Sequence, residues 1–273
     1  MAVITLSREL GSLGTKIADT LSSLFGYAKL DKDSLEILLK ELGMPEPEFE
    51  GNEEKKPGFW EQFIQVKDRY LDFMKAAMYR FASVKDCIIV GRSANIIFRG
   101  IPGTLRLRVI APHDVRVARL RERFGIDEQH ALRMMERSDH DRAGYHKYFF
   151  NAIWDSPADF DLVVNTATIS PAEICDTVSA LFRSPAHSGV GKLARDILLD
   201  LCIAQEVKIA IIHRQRVLVT SLDVVCEKGV VALHGVLRSA EMDRCVQIAD
   251  TVEGVVKVVS HLEAVENAFS PGI

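Results

Sequence analysis

Residues 7–16 combine two glycines with hydroxyl groups and cations, which is a composition suited to binding phosphate. They read Ser-Arg-Glu-Leu-Gly-Ser-Leu-Gly-Thr-Lys and follow a short apolar run. Gly11 and Gly14 let the backbone turn so that its N–H groups point inward, and the start of the following helix adds about half a positive charge. A strand, a glycine-containing loop and a helix N-terminus in this order predict an anion-binding site.

The loop departs from the GxxxxGK[ST] motif of standard P-loops. With Lys16 as the motif lysine, Leu10 and Thr15 occupy the glycine positions and Ile17 occupies the hydroxyl position. Taking Gly14 as the second glycine leaves the first glycine position and the lysine position unmatched. A plain strand-to-helix turn is therefore an equally good interpretation of the loop alone.

Two other predicted strands end in charged side chains. Asp31 ends the apolar segment 27–31, and Arg92 follows the apolar segment 87–91. Ligands of parallel sheets bind at the carboxyl ends of the strands, so both side chains are candidates for contacting a ligand. The guanidinium of Arg92 suits bidentate phosphate recognition, and a surface ion pair is the alternative interpretation.

Residues 92–150 are rich in arginine. They carry 12 basic and 7 acidic side chains, a surplus of 12 − 7 = +5 in a chain whose net charge is −4. Several of these arginines recur at helical spacing: Arg116, Arg119, Arg123, Arg133 and Arg137. For any single one, a solvated helix face is the simpler interpretation. As a group, together with Arg142, they predict a lid that closes over polyphosphate.

The first two thirds of the chain alternate short apolar segments with amphipathic ones. Strands are predicted at residues 3–7, 27–31, 87–91, 105–111 and 160–165. Helices are predicted at residues 15–25, 32–42, 59–83, 115–124, 127–150 and 171–182. This alternation is typical of an α/β fold with a parallel sheet covered by helices on both faces. Residues 41–58 hold six glutamates, three prolines and three glycines and predict a mobile acidic insert.

A second, smaller domain is predicted after a cluster of Pro, Ser and Gly at residues 183–191. Its elements are a helix at 192–205, strands at 217–227 and 230–237, a helix at 239–251 and a strand at 255–265. This α-β-β-α-β order indicates a small α+β module, with Gly229 at positive φ in the hairpin turn and Ser239 as a helix cap. The predicted domain limits are 1–184 and 192–268, joined by a linker at 185–191.

The overall composition excludes several classes of protein. The chain has 273 residues, with 34 Lys and Arg against 38 Asp and Glu, so it lacks the basic excess of a nucleic-acid binder. No run approaches the roughly 18 apolar residues of a membrane-spanning helix. The first residues lack a basic leader and a signal-type apolar core, so we expect a cytoplasmic protein. Five scattered cysteines, an odd number, predict reduced thiols.

These motifs together resemble the cytidylate-kinase-like family, a divergent branch of the P-loop kinases related to nucleoside monophosphate kinases. The resemblance spans about residues 2–182. The segments that carry it are residues 7–14, 30–32, 91–94, 109–119, 139–148 and 161–166. Members of the family usually have two adjacent glycines where this chain has Leu13 and Gly14. The resemblance implies a P-loop kinase fold, with ATP and Mg²⁺ as cofactors and a small molecule as phosphoryl acceptor.

The resemblance and the loop together imply roles for individual residues. The residues expected to bind the donor phosphates are Arg8, Gly11, Ser12, Leu13, Gly14 and Thr15. Lys16 or Arg8 would replace the missing P-loop lysine, and Thr15 or Ser12 would reach the metal ion. Asp31 and Arg92 would position the acceptor. The residues expected to neutralise the developing charge, as catalytic residues, are Lys16, Arg133, Arg137 and Arg142.

Residues 192–266 resemble a BON domain. The segments that carry this resemblance are Gly-Val-Val-Ala-Leu-His-Gly at 229–235 and Val-Glu-Gly-Val-Val-Lys-Val at 252–258. The family implies binding of phospholipids or small ligands. We interpret the module as a sensor, interaction or self-association unit, which makes it a candidate for assembling a homo-oligomer.

The sequence therefore predicts an ATP-dependent kinase that phosphorylates a nucleotide or another small acceptor and carries a regulatory BON module. The alternative is a nucleotide-binding regulator with little or no kinase activity, which the unmatched loop motif motivates. A third interpretation is an oligomer held together by the BON module, in which the first domain is only structural.

Overall fold

The computed structural model describes residues 2–45, 63–184 and 189–264. Contacts between Cα atoms divide the chain into two compact units. As far as they are described, the first contains Met1–Ile64 and Val84–Ala194, and the second contains Gln65–Ser83 and Arg195–Ile273. Most of the predicted acidic insert at 41–58, and residues 185–188 of the predicted linker, lie outside the described residues.

A parallel sheet forms the centre of the first unit. In its described part the strands are β1 Val3–Arg8, β2 Ala28–Leu30, β3 Cys87–Val90, β4 Thr104–Ile110 and β5 Leu162–Asn165. Their order is β2-β3-β1-β4-β5, and every neighbouring pair is parallel. The predicted α/β fold class is thereby confirmed. Because β1 is central, the loop that follows it lies between the ends of β3 and β4.

Helices alternate with these strands along the chain, near the predicted positions. They are α1 Gly14–Phe25, α2 Lys32–Glu41, α3 Phe63–Val84, α4 Ala94–Ile97, α5 His113–Phe124, α6 Glu128–Phe150 and α7 Pro171–Phe182. The single turn α4 was not predicted, because four residues are too few to show a helical period. Residues 65–83 of α3 group with the second unit.

The core of the first unit fixes the end of β1. Ile4 and Leu6 of β1 are buried against Ile17 and Leu21 of α1. Strands β3 and β4 contribute further buried aliphatic side chains to the same core, and α7 packs against it. Burial of each large aliphatic side chain is worth about 1.5–3 kcal/mol, so this packing holds the strand ends and the start of α1 in a fixed relation.

The second unit has the predicted α-β-β-α-β order. Its elements are α8 Gly191–Ile209, β6 Val219–Glu227, β7 Val230–Leu237, α9 Ser239–Asp250 and β8 Lys257–Ala264. Strands β6 and β7 are antiparallel, and β7 and β8 are parallel. Helix α8 runs beyond the predicted end at 205 and continues as a π-helical turn, Ala210–Arg214, because Val207 and Ile211 extend its buried stripe.

Two details of the second unit concern predicted turns. Gly229 has a φ of 77° in the β6–β7 turn, as predicted. The Asp200 carboxylate accepts hydrogen bonds from the amides of Lys228 and Gly229, at 2.8 and 3.1 Å, and so caps the turn. The prediction that Ser239 caps α9 is wrong. Arg238 is the last extended residue and the N-cap, and Ser239 is the first helical residue.

Asp72 of α3 joins this helix to α8 inside the second unit. Its side chain is 5% exposed and accepts hydrogen bonds from Gln205, Lys208 and His213, each at 2.9 Å. Burial alone would raise the pKa of Asp72. The hydrogen bonds and charges of His213 and Lys208 outweigh burial and hold the pKa below its usual value.

Within the part of the chain that is described, no helix is long and apolar enough to cross a membrane.

We expect Asp72→Asn to destabilise the second unit by about 3 kcal/mol, because Lys208 and His213 lose a buried counter-charge. Because the pKa of Asp72 is lowered by folding, its contribution to stability is fully present above the ordinary aspartate pKa of about 3.9. This contribution is lost as the pH falls below that value. Hydrogen exchange of residues 67–83 and 197–214 measures the effect. The control is Asp68→Asn, at an exposed position one turn earlier. Equal exchange in the two variants at neutral pH would contradict the prediction.

Candidate active site

The loop between β1 and α1 turns sharply through two residues at positive φ. Gly11 has a φ of 83°, and Leu13, the N-cap of α1, has a φ of 64°. The left-handed conformation is unfavourable for a residue with a β-carbon by about 1–2 kcal/mol. The loop therefore adopts a glycine-like conformation at Leu13 without a glycine.

Gly14 is required for a different reason, namely the lack of space for a side chain. A β-carbon at Gly14 would lie 2.4 Å from Cβ of Arg8, a distance that real β-carbons essentially never show. A β-carbon at Gly11 would lie 3.0 Å from the carbonyl oxygen of Arg116. The two glycines therefore let the loop pack tightly against the end of β1 and against α5.

The first turn of α1 presents unused backbone donors. Leu13 provides no side-chain cap, and within the described residues the amides of Leu13, Gly14, Thr15 and Lys16 donate no hydrogen bond. A helix N-terminus of this kind is a ready-made anion site, because its N–H groups and its dipole both favour negative charge.

The loop hydroxyls differ in what they are free to do. Ser12 is fully buried; its hydroxyl donates to the Glu9 carbonyl at 2.9 Å, and its carbonyl accepts from the Thr166 hydroxyl at 3.0 Å. Its side chain therefore helps to shape the loop. Thr15 and Lys16 are exposed and line a cavity of about 620 Å³ together with the loop.

Arg116 and Arg119, whose spacing suggested a lid, support the loop instead. Arg116 is 5% exposed; its Nε donates to the Leu10 carbonyl at 2.7 Å and its Nη2 to Asp139 at 2.8 Å. Arg119 donates to the Gly11 carbonyl at 3.3 Å and to Thr166. The lid interpretation is wrong for this pair. Helical spacing showed that the two arginines share one side of α5, but it could not show that this side packs against the loop.

Glu9 is a loop residue whose function the sequence did not reveal. Its carboxylate accepts from the Ala111 amide at 3.1 Å and lies 3.5 Å from both Arg108 and Arg116. Burial lowers the pKa of Arg108, and the charge of Glu9 opposes that shift. Arg106 and Arg108, in an otherwise apolar strand segment, were the one signal that a buried carboxylate must lie nearby.

Three of the predicted residues, Arg92 for the acceptor and Arg133 and Arg137 for the lid, line a second cavity of about 780 Å³. Among the described residues, its cationic lining consists of Arg8, Lys32, Arg92, Arg133 and Arg137, and its one lining carboxylate is Asp141, 3.9 Å from Arg137. Lys32, at the start of α2, was not predicted. Arg142 lines the adjoining loop cavity instead, and Arg8 lines both cavities.

Arg92 is held by an unusual backbone at the end of β3. Gly91, Arg92 and Ser93 have successive φ values of 82°, 52° and 54°. Left-handed non-glycine residues cost of order 1–3 kcal/mol each and cluster at functional sites. Arg92 is 5% exposed, and its guanidinium carbon lies 5.7 Å from the centre of the Tyr145 ring. The strained turn thus fixes a guanidinium at the sheet edge.

Asp31 caps a helix, a role that the sequence alone could not distinguish from ligand binding. It is the N-cap of α2 and forms a capping box with Ser34. Burial alone would raise the pKa of Asp31, but the Ser34 hydrogen bonds and the nearby Lys29 lower it. Asp31 does not line the 780 Å³ cavity, whereas the adjacent Lys32 does.

The strand order and the loop between the central strand and its helix define a P-loop kinase fold. A model of the cytidylate kinase-like family matches residues 3–168, more than half of the chain, so this protein belongs to that family. A BON domain model matches residues 200–266. Both resemblances noted from the sequence are thereby confirmed. A search of curated proteins found no match for this chain.

Solved structures agree with the fold. An uncharacterised protein from Eubacterium ventriosum is 22% identical, with a TM-score of 0.52 over 67% of this chain and 99% of that one. A shikimate kinase from Bacteroides thetaiotaomicron is 10% identical, with a TM-score of 0.41 over 67% and 99% of the two chains. A sugar kinase from Janibacter is 18% identical, with a TM-score of 0.38 over 68% and 98%. The first likeness supports the fold alone, and the other two are too distant to support any argument.

We expect Gly14→Ala to weaken ATP binding at least about tenfold, a loss of 1.4 kcal/mol, because the new β-carbon must push α1 or β1 out of place. The control is Gly26→Ala, which adds strain at a φ of 67° but meets no atom within 4 Å. It should lower stability and leave ATP affinity unchanged. Calorimetric titration with ATP and Mg²⁺ gives both affinities. Unchanged affinity in Gly14→Ala would remove the loop from the site.

The capping role of Asp31 is testable with two substitutions. Asparagine is as good an N-cap as aspartate, so Asp31→Asn should keep the stability of the wild type, whereas Asp31→Ala should lose about 1 kcal/mol. Urea unfolding followed by tryptophan fluorescence measures both. Equal loss in the two variants would show that the charge, and not the cap, stabilises α2.

Proposed function

We propose that the first unit is a kinase that transfers the γ-phosphoryl group of ATP to a small, negatively charged acceptor. The observation that carries this proposal is a pair of adjoining cavities at the carboxyl ends of the strands. One contains the unused amides of the loop, the other is lined by five cations, and Arg8 and Leu10 line both. Phosphoryl transfer needs mainly positioning and charge neutralisation, which these two cavities together can supply.

The donor side of the proposal rests on the loop. The amides from Leu13 to Lys16 would hold the phosphates of ATP, and the ammonium of Lys16 would take the role of the P-loop lysine. Mg²⁺, when bound, would offset the charge of these phosphates. Thr15 is the exposed hydroxyl suited to this ion, since Ser12 is buried. Among the described residues no cluster of three His, Cys, Asp or Glu side chains could hold a metal, which suits an ion held largely by the nucleotide.

The acceptor side rests on the charge of the second cavity. Among the described residues, five cations and one carboxylate line this cavity, and such a lining favours an acceptor that carries negative charge. An acceptor that carries a phosphate or carboxylate, such as a nucleotide, would offset the charge of these cations. Arg92 would bind that group bidentately, because its strained backbone fixes its direction. Asp31 remains a proposed acceptor residue, and the kinetics of Asp31→Asn decide its role.

During transfer, the chain would act mainly through its arginines. Arg133 and Arg137 on α6 and Arg142 one to two turns further would neutralise charge that spreads over the moving phosphoryl group. Arg133 and Arg137 are exposed, so they can adjust to the ligand, whereas Arg142 is half-buried beside the loop. Loss of one well-placed donor of this kind typically costs about 10²–10³ in rate.

A nucleotide-binding regulator with little or no kinase activity is the second candidate. It is favoured by the unmatched loop motif and by Leu13, whose left-handed backbone costs energy where the family usually has glycine. In this case ATP would bind at the loop without being turned over, and the BON module would transmit the bound state.

We further propose that the protein is cytoplasmic and that its domain limits lie near 1–184 and 192–268. In this proposal the BON module mediates self-association, and the protein does not bind nucleic acid.

We expect Arg92→Ala to lower kcat/KM for the best anionic acceptor by about 10²–10³, with ATP affinity unchanged. The assay is ADP release from ATP with a panel of nucleoside monophosphates and phosphorylated or carboxylated small molecules. Arg99→Ala is the control, since Arg99 pairs with Asp159 away from both cavities. Full activity in Arg92→Ala would remove Arg92 from the site. ATP binding without turnover on any acceptor would support the regulator and contradict the kinase.

A further inference from the structure

The second unit contains a cavity of its own, of about 720 Å³. It lies between residues 68–75 of α3 and residues 208–219, which include the π-helical turn and the start of β6. All of its lining residues belong to the second unit. Its polar lining comprises Asp68, Arg69, Asp72, Lys75, Lys208, His213 and Arg216. The size is typical of sites for small molecules.

The lining of this cavity carries more positive than negative charge. Among the described residues of the lining, four side chains are cationic and two are carboxylates. One of the carboxylates, Asp72, is buried and already accepts three hydrogen bonds from Gln205, Lys208 and His213. It orients these side chains and is not available to neutralise the rest. The other carboxylate, Asp68, is exposed to solvent.

Lys75 is a cation of this cavity whose charge is only weakly compensated by nearby carboxylates. Its side chain is partly buried, and among the described residues no carboxylate forms a salt bridge with it. Burial lowers the pKa of Lys75 and outweighs the charge of Asp72, which raises it; the charge of Lys208 adds to the lowering, and that of Asp68 opposes it. An anion in the cavity would stabilise both ammonium groups at once.

The rim of the cavity shows a backbone feature often found at functional sites. Arg216 has a φ of 51° and an exposed side chain. It lies two residues after the π-helical turn, a form of helix that is frequent at functional sites. The strained residue positions a further cation at the entrance, next to Lys208 and Lys75 in the lining.

We propose that this cavity binds a small soluble anion that carries a phosphate or pyrophosphate group. Two lysines within the cavity and an arginine at its rim suit several phosphate oxygens, and Asp72 holds Lys208 and His213 in place to receive them. The site is separate from the two cavities of the first unit and does not rest on their proposed function. It gives the second unit a ligand of its own.

Lysine labelling of the full-length chain tests the proposal residue by residue. The probe is sodium pyrophosphate, the readout is the acetylation rate of each lysine by mass spectrometry, and Lys228, in an exposed turn, is the internal control. At ten times its Kd the anion should slow labelling of Lys208 and Lys75 about tenfold and leave Lys228 unchanged. The same protection should persist in Arg92→Ala, which separates this site from the proposed acceptor site.

Variants and a second probe make the outcome decisive. Lys75→Met keeps the length of the side chain without its charge, and it should abolish the protection of Lys208, whereas Lys228→Met should not. Unchanged labelling of Lys208 and Lys75 at millimolar pyrophosphate, orthophosphate and ATP would overturn the proposal. Protection by vesicles of phosphatidylglycerol but by none of the soluble anions would also overturn it, because it would make the site one for a lipid surface.

Discussion

The buried guanidinium of Arg116 is the interaction on which the geometry of the first unit depends. It belongs to α5, binds the carbonyl of Leu10 in the loop, and pairs with Asp139 of α6 and with Glu9. One side chain thereby joins the loop with its unused amides to the helix that carries the cavity arginines. Loss of one of these carboxylates would leave a buried guanidinium with less compensation, so the contacts of Arg116 hold the loop and α6 together.

Much of the first unit could be predicted because its strands are buried on both faces. Such strands appear as short apolar runs, and glycine at a strand-to-helix junction is a strong local signal. Strand ends and helical spacing singled out Arg92, Arg133 and Arg137 separately, and the structure places all three in the lining of one cavity. Arg116 and Arg119 were misassigned, because helical spacing shows which side chains share a face and does not show what that face meets.

Other features depend on contacts between distant parts of the chain. The amphipathic pattern of α3 predicts a helix but not that residues 65–83 pack within the second unit, where Asp72 meets α8. Ser12 looked like a candidate metal ligand, yet its hydroxyl bonds to the loop itself. Asp31 could equally be a cap or a ligand, since both roles place an acidic side chain directly after a strand.

The two units use charge in the same way. In each, a carboxylate is held by surrounding donors, Glu9 in the first and Asp72 in the second, and further cations line a cavity beside it. The carboxylate orients its partners, and cations next to it line the cavity. Surface charges are screened by salt within about 10 Å at 0.1 M, whereas partly buried ones are screened much less. Cations that line a cavity can therefore attract an anion even in a chain whose net charge is −4.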